Sequence, residues 1–171
     1  MVKCGNCKEM GHNSRGCKNN KTVVIDEHKP VEETTVIVKE DPEDIVKIRK
    51  LAEEVLSSLG AGHTESVYHC AMKYGLQDEG FPYESERDLP INFRGRYVGT
   101  VRADLIVDKR IVIELKQATA GSEQVVSDAM EQCTCYMRET KITTGVVIVF
   151  PKREKSNLVF RWFTTDDEKD E

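Results

Sequence analysis

The sequence predicts an α/β (or α+β) fold in which helices flank a small mixed β-sheet. Segments with helical and strand-like periodicity follow one another in the order helix, helix, strands, helix, strands. Of the 171 residues, 39% are hydrophobic and 32% charged, so the chain can bury the core of one full-sized domain under a heavily charged surface. A cysteine-rich N-terminal stretch with almost no apolar residues predicts a small additional module.

Three helices are predicted. The first begins at Asp41-Pro42-Glu43-Asp44, where an acidic N-cap, a first-turn proline and further acids favour a helix start. Apolar residues then recur at helical spacing as far as Gly60: Ile45, Ile48, Leu51, Ala52, Val55, Leu56 and Leu59. The second helix is expected from Thr64 to about Tyr74, and the third over residues 122–138.

Five strands complete the predicted domain, which we place at residues 42–164. Their expected positions are Arg87–Phe93, Tyr97–Val107, Arg110–Lys116, Thr143–Phe150 and Leu158–Phe163. Residues 19–41 contain two short β-like runs and are either a linker or an added hairpin, and residues 165–171 form an acidic tail.

Charge and hydropathy exclude some classes of function. The longest apolar run, Gly145–Phe150, is far too short to span a membrane, and no signal peptide is seen, so we expect an intracellular protein with no membrane partner. In that setting cysteines are metal ligands or buried thiols, and we interpret Cys70 and Cys133 as buried thiols. The net charge of −5 is unevenly spread, because residues 1–21 carry five Lys or Arg against one Glu, a sum of +4.

Residues 1–18 contain four spaced metal ligands, Cys4, Cys7, His12 and Cys17, in the pattern C-x2-C-x4-H-x4-C. Three thiolates and an imidazole are the tetrahedral set that structural Zn²⁺ prefers, and so short a segment needs the metal to fold. The pattern resembles the CCHC zinc knuckle of retroviral nucleocapsids and cellular RNA-binding proteins. The resemblance implies binding of single-stranded DNA or RNA.

Contacts to phosphate are the expected binding mode of this knuckle. No aromatic residue lies between the ligands to stack on a base, whereas Lys8, Arg15 and Lys18 can contact the backbone. A knuckle that binds protein is the alternative.

The stretch 101–116 predicts two strands joined by a turn near Asp108–Arg110. The alternation of side chains gives one apolar side, made by Ala103, Leu105, Val107, Ile111, Ile113 and Leu115. The same register places Asp104 opposite Glu114, with Lys116 two residues further on. A cross-strand salt bridge is the simpler explanation, but two facing acids repel unless a cation lies between them. Oxygen ligands around Mg²⁺ or Mn²⁺, with a nearby lysine, suit phosphodiester hydrolysis.

Asp104 followed by Glu114-Leu115-Lys116 resembles the D-xn-E-x-K motif of the PD-(D/E)XK nuclease superfamily. Gly62-His-Thr-Glu65-Ser-Val-Tyr68 is similar to the signature of its GxxExxY family, and Gln132 and Tyr136 to that family's later helix. The resemblance implies that Glu65, Asp104 and Glu114 hold Mg²⁺ or Mn²⁺, that Lys116 is catalytic, and that Gln132 lies beside the site. Ala103 replaces the usual proline. Without the family, Glu65 would be an ordinary first-turn acid.

Three functions follow from these motifs. The leading hypothesis is a divalent-metal-dependent nuclease acting on DNA or RNA, whose knuckle captures a single strand. The second is a nucleic-acid-binding protein on a nuclease-like fold that no longer cleaves, and the third is a module whose knuckle binds protein. The combination of knuckle and core suggests a virus-encoded protein or one from a mobile element, by association alone. The sequence leaves DNA against RNA, and the oligomeric state, open.

Overall fold

A computed structural model describes residues 41–119 and 123–165, which form three helices and a five-stranded mixed sheet. In chain order the elements are α1 (Glu43–Leu59), α2 (Glu65–Asp78), β1 (Tyr83–Phe93), β2 (Arg96–Val107), β3 (Ile111–Ala118), α3 (Glu123–Thr140), β4 (Thr144–Pro151) and β5 (Val159–Thr164). The α/β fold class and the order of elements predicted from the sequence are therefore confirmed. No helix in the described ranges is long and apolar enough to cross a membrane.

The strands lie in the order β1-β2-β3-β4-β5. Neighbours are antiparallel except β3 and β4, which are parallel and are connected by α3, because parallel neighbours need a long crossover. Helices cover both faces of the sheet. One buried cluster joins α1 and α2 to the sheet, and the other joins α3 to the opposite face.

The hairpin between β2 and β3 has the predicted register. Its paired residues run from Val107 opposite Ile111 to Leu105 opposite Ile113, so that Asp104 and Glu114 are the next facing positions. The turn is tight, since Asp108 has φ 49° and the following lysine φ 54°, both in the left-handed region of a type I′ turn. This local geometry fixes which side chains of β2 and β3 face each other.

The alternation of faces along β2 breaks at Asp104, where the sequence predicted a continuous apolar side. Leu105 packs with α1 and α2, but Ala103 packs with Leu89 in the cluster beneath α3. On the neighbouring strand, Glu86 lies opposite this point and has φ 52°. The expectation that Ala103 shares a side with Leu105 was therefore wrong, because a distorted residue on β1 accompanies the change of face.

The start of α1 differs from the predicted capping. The N-cap is Pro42, with no side-chain cap, and the Asp41 carboxylate is used elsewhere. It accepts hydrogen bonds from Arg49 at 2.6 Å and from the indole nitrogen of Trp162 at 2.8 Å. Asp41 thus ties α1 to β5 instead of capping the helix.

The second helix is longer than predicted, because it continues through Gly75 to Asp78. A Cβ atom on Gly75 would lie 2.1 Å from Leu51 Cδ1. The glycine therefore allows α1 and α2 to pack closely and does not end the helix.

Candidate active site

Glu114 is a buried carboxylate on the central strand β3, and its side chain has 0% exposed surface. It lies on the face covered by α3, beside Val112 and above Cys133. Lys116, two residues on, is partly exposed and places Nζ 2.5 Å from Glu114 Oε1. Strand alternation therefore puts the carboxylate and the ammonium on the same side of β3.

Asp104 lies at the point where the β2–β3 pairing ends. Its Oδ2 accepts a hydrogen bond from the Leu115 backbone N–H at 2.8 Å, so the side chain replaces a strand carbonyl as the partner of β3. Its own backbone carbonyl accepts a hydrogen bond from His69 Nε2 at 3.1 Å. These two contacts hold Asp104 from both its side chain and its backbone.

The ionisable side chains around Glu114 shift one another's pKa values. Burial, followed by the neighbouring Asp104 carboxylate, raises the pKa of Glu114 from 4.5 to about 8, against the opposing effect of Lys116. Burial alone would lower the pKa of Lys116, but its contact with Glu114, together with the charges of Glu65 and Asp104, outweighs that effect and raises the pKa. The charge of Glu65, an exposed side chain at the start of α2, also raises both pKa values, as a smaller cause than burial.

A short loop before α2 positions Glu65. Gly62 has φ 93°, a conformation that favours glycine, and donates its N–H to the Pro151 carbonyl at 3.1 Å. Tyr68 anchors the same loop, since its hydroxyl donates to the Gly60 carbonyl at 2.7 Å and its ring stacks on Phe150. The glycine and tyrosine of the G-xx-E-xx-Y pattern thus hold the helix start at the ends of β3 and β4.

The α3 helix brings Gln132 and Tyr136 to the same region. Gln132 is exposed and donates a hydrogen bond to the Tyr136 hydroxyl. Burial and then the charge of Glu114 raise the pKa of Tyr136. Gln132 therefore contacts a tyrosine whose pKa the Glu114 charge influences.

The carboxylates do not form a ready-made metal cage. Within residues 41–119 and 123–165, no group of three or more His, Cys, Asp or Glu side chains is placed to hold a metal ion. However, Glu114 Oε2 has no hydrogen-bond donor in those ranges, and Oε1 contacts the Lys116 ammonium as an ion pair. A buried carboxylate oxygen without a donor, beside a second carboxylate, fits a hard divalent cation.

The predicted zinc and phosphate-binding residues fall on a part of the chain outside the described residues. These are Cys4, Cys7, His12 and Cys17, with Lys8, Arg15 and Lys18. The β-like runs of residues 19–41 and the acidic tail from residue 166 also lie outside them. Of the two thiols expected to be buried, Cys133 is buried, but Cys70 is exposed on α2, so that expectation was wrong for Cys70.

His69 is a site residue that the sequence analysis missed. It follows Glu65 by four residues, which places both side chains on one face of α2. That spacing was the available signal, but its partner Asp104 is 35 positions away in sequence. The site thus combines α2, β2, β3 and α3.

Comparison with known proteins agrees with this architecture. The family model of the PD-(D/E)XK nuclease superfamily matches residues 43–161. No curated protein matches the chain. A crystal structure of SSO0001 is similar at 18% identity with a TM-score of 0.48; the match covers 71% of this chain and 62%, less than two thirds, of that one. Because the family model covers more than half of the sequence, the chain belongs to the PD-(D/E)XK nuclease superfamily.

Proposed function

We propose that the protein is a divalent-metal-dependent nuclease that hydrolyses phosphodiester bonds in DNA or RNA. The observation that carries the proposal is the buried Glu114 carboxylate, which faces Asp104, contacts the Lys116 ammonium through Oε1 and has no hydrogen-bond donor on Oε2 among the described residues. Family membership supports nuclease-like chemistry, and the two carboxylates supply the oxygen ligands that Mg²⁺ or Mn²⁺ prefers.

In this proposal Asp104 and Glu114 hold the cation, with Glu65 as a third acid at the start of α2. A divalent cation bound there would activate water and neutralise charge on the phosphate. Asp104 is oriented by the Leu115 N–H, which leaves its other oxygen free to face the site. Glu114 is fixed by its burial in β3.

Lys116 is the proposed catalytic cation. Its ammonium is in contact with Glu114 and keeps its proton, since its pKa is raised. It can donate hydrogen bonds to the attacking water or to the negative charge that develops on the phosphate. Gln132, which donates a hydrogen bond to Tyr136, is proposed to lie beside this site.

We further assign the chain to the GxxExxY family of this superfamily, on Gly62, Glu65 and Tyr68. The N-terminal CCHC pattern would bind Zn²⁺ and capture a single strand of DNA or RNA through Lys8, Arg15 and Lys18. Those residues stand on their spacing and charge alone.

A nucleic-acid-binding protein that no longer cleaves is the second candidate. It is favoured by the short Lys116–Glu114 contact, which occupies one oxygen of the proposed metal ligand. In that case the ion pair would be a permanent structural feature of β3.

The deciding experiment measures cleavage of labelled single- and double-stranded DNA and RNA with Mg²⁺ or Mn²⁺. Asp104→Asn and Glu114→Gln serve as nearly isosteric controls that remove one charge each. Cleavage by the wild type alone supports the nuclease and identifies its substrate. Cleavage that persists in both variants overturns the site, and binding without cleavage on every substrate favours the second candidate.

A further inference from the structure

The hairpin formed by β1 and β2 carries a cluster of exposed apolar and basic side chains at its tip. Half of the large hydrophobic residues that are exposed in the described ranges lie within six positions there: Phe93 at 63%, Tyr97 at 66% and Val98 at 60%. Such a concentration at one place on the surface is typical of a binding surface.

The tip is also basic in an otherwise acidic chain. From Leu89 to Ala103 there are three arginines and no Asp or Glu, whereas the whole chain has a net charge of −5. Arg102 pairs with Asp88 at 2.8 Å. Arg94 and Arg96 are exposed and have no ion-pair partner among residues 41–119 and 123–165; the only interaction of either side chain is that of Arg94 with the Phe93 ring. Two unpaired guanidinium groups therefore flank exposed aromatic rings.

The backbone of the tip is well defined. Arg94 and Gly95 have φ 50° and 74°, which is the type I′ turn that closes a two-residue hairpin. Phe93 pairs with Arg96, and Tyr97 with Asn92, so the two aromatic rings lie on opposite faces of the ribbon. A narrow ribbon that carries an aromatic ring on each face and arginines at its end can stack on the bases of a nucleic-acid strand and contact its phosphates.

We propose that this hairpin tip binds an unpaired DNA strand, with Phe93 and Tyr97 stacking on bases and Arg94 and Arg96 contacting phosphates. The inference rests on the proposed nuclease function, because the tip lies on the same strand as Asp104. Asp104 is seven positions after Tyr97, which is about 23 Å along an extended strand. The tip therefore contacts the substrate at a distance from the bond that is cut.

DNA is the occupant that the side chains favour. The hydroxyl groups of Tyr97 and Thr100 lie 2.8 Å apart and bond each other, so each of these two groups already has a partner within the protein. This pairing makes them poorer partners for the 2′-hydroxyl that distinguishes RNA. A second copy of the chain is less suited, because Pro90 and the charged residues of β1 oppose strand pairing at this edge.

The test measures the affinity of the full-length protein for labelled single-stranded DNA, without added divalent ions, over a range of salt concentrations. Arg94→Ala/Arg96→Ala should weaken binding and reduce the slope of log affinity against log salt by about 1.4, from two contacts of about 0.7 each. Phe93→Ala/Tyr97→Ala should weaken binding by at least about 30-fold with an unchanged slope, from two stacked bases of about 1 kcal/mol or more each. The charge-matched control Lys47→Ala/Lys50→Ala, on α1, should bind as the wild type does.

Duplex DNA and RNA of the same sequence are the comparison ligands, and the hairpin variants should lose less affinity for them than for single-stranded DNA. Wild-type affinity in both hairpin variants, an equal or larger loss on duplex or RNA, or a changed oligomeric state would overturn the proposal. Hydrolysis of the small substrate bis(p-nitrophenyl) phosphate distinguishes failure of the proposed nuclease from failure of the proposed hairpin binding. The hairpin variants should retain this hydrolysis. If the wild type does not hydrolyse the substrate, the result counts against the nuclease and not against binding by the hairpin.

Discussion

Lys116 Nζ lies 2.5 Å from Glu114 Oε1, and the Glu114 side chain is completely buried. This contact places an ammonium group at the edge of the two-carboxylate site, where it can meet substrate. Lys116→Met keeps most of the length of the side chain and removes its charge. We expect cleavage to fall about 100-fold or more, as for the loss of one transition-state donor.

Metal binding should survive this change, because the carboxylates remain. Thermal melts with and without Mn²⁺ measure this, and Lys50→Met on α1 is the control. Unchanged cleavage in Lys116→Met would remove the lysine from the proposed chemistry.

The Glu114 carboxyl should destabilise the metal-free fold above neutral pH. Burial and Asp104 raise its pKa from 4.5 to about 8. As pH rises through this interval the unfolded chain loses the proton while the folded chain keeps it, so the free energy of unfolding decreases. Glu114→Gln abolishes this titration and should stabilise the protein at pH above 8, by an amount on the order of a few kcal/mol.

The measurement is thermal unfolding without divalent ions at acidic and at alkaline pH. The increase in stability from Glu114→Gln should be absent at a pH near 4 and complete above 8. Glu54→Gln, which changes an exposed glutamate of α1, should not increase stability at either pH. If Glu114→Gln is less stable than the wild type at alkaline pH, the buried Glu114 charge does not destabilise the fold.

The facing positions of Asp104 and Glu114 could be predicted from the sequence because they depend on local rules. A short turn and a two-residue alternation fix the register of a hairpin, and both are visible between residues 101 and 116. The same rules failed at Ala103, because the face of β2 changes opposite Glu86 on another strand.

Tertiary partners explain the other differences. Asp41 has the sequence context of an N-cap, yet it bonds Trp162, 121 positions away. Gly75 lies just beyond the expected end of α2 near Tyr74, but the helix continues through it, and close packing against Leu51 requires a residue without Cβ at that point. His69 meets Asp104 only after α2 has packed against the sheet. None of these contacts leaves a periodic signal in the sequence.

His69 should act as a positioning residue for Asp104, since Nε2 donates to its backbone carbonyl at 3.1 Å. His69→Ala should raise the Mn²⁺ concentration needed for half-maximal cleavage by about tenfold, as losses of such supporting contacts do. His69→Gln retains a donor and should restore part of the affinity. If both variants change only the melting temperature, the histidine is merely structural.

The N-terminal cysteines give a prediction that is independent of the catalytic site. Cys7→Ser should release zinc and weaken capture of single-stranded nucleic acid, because a module this small depends on its metal to fold. Cys70→Ser is the matched control, since that thiol is exposed on α2 and outside the C-x2-C pattern. Zinc content and affinity measured together decide the matter. Equal zinc in both variants would exclude the knuckle.

Gly62 and Gly80 allow the strain of a left-handed residue to be separated from its effect on the site. They have φ 93° and 77°, and lie at opposite ends of α2. Alanine at either position should cost about 1–2 kcal/mol of stability. A Cβ at Gly62 also comes within 3.4 Å of the Lys152 carbonyl, whereas nothing lies within 4 Å of one at Gly80.

Only Gly62→Ala should reduce cleavage, because the loop it closes sets the position of Glu65. Denaturant unfolding and cleavage, measured on both variants, provide the comparison. If Gly80→Ala loses as much activity as Gly62→Ala, the loss follows from stability and Glu65 has no special dependence on this loop. If only Gly62→Ala loses cleavage activity, and neither a lower temperature nor a more stable background restores that activity, the conformation of the loop is needed for the chemistry.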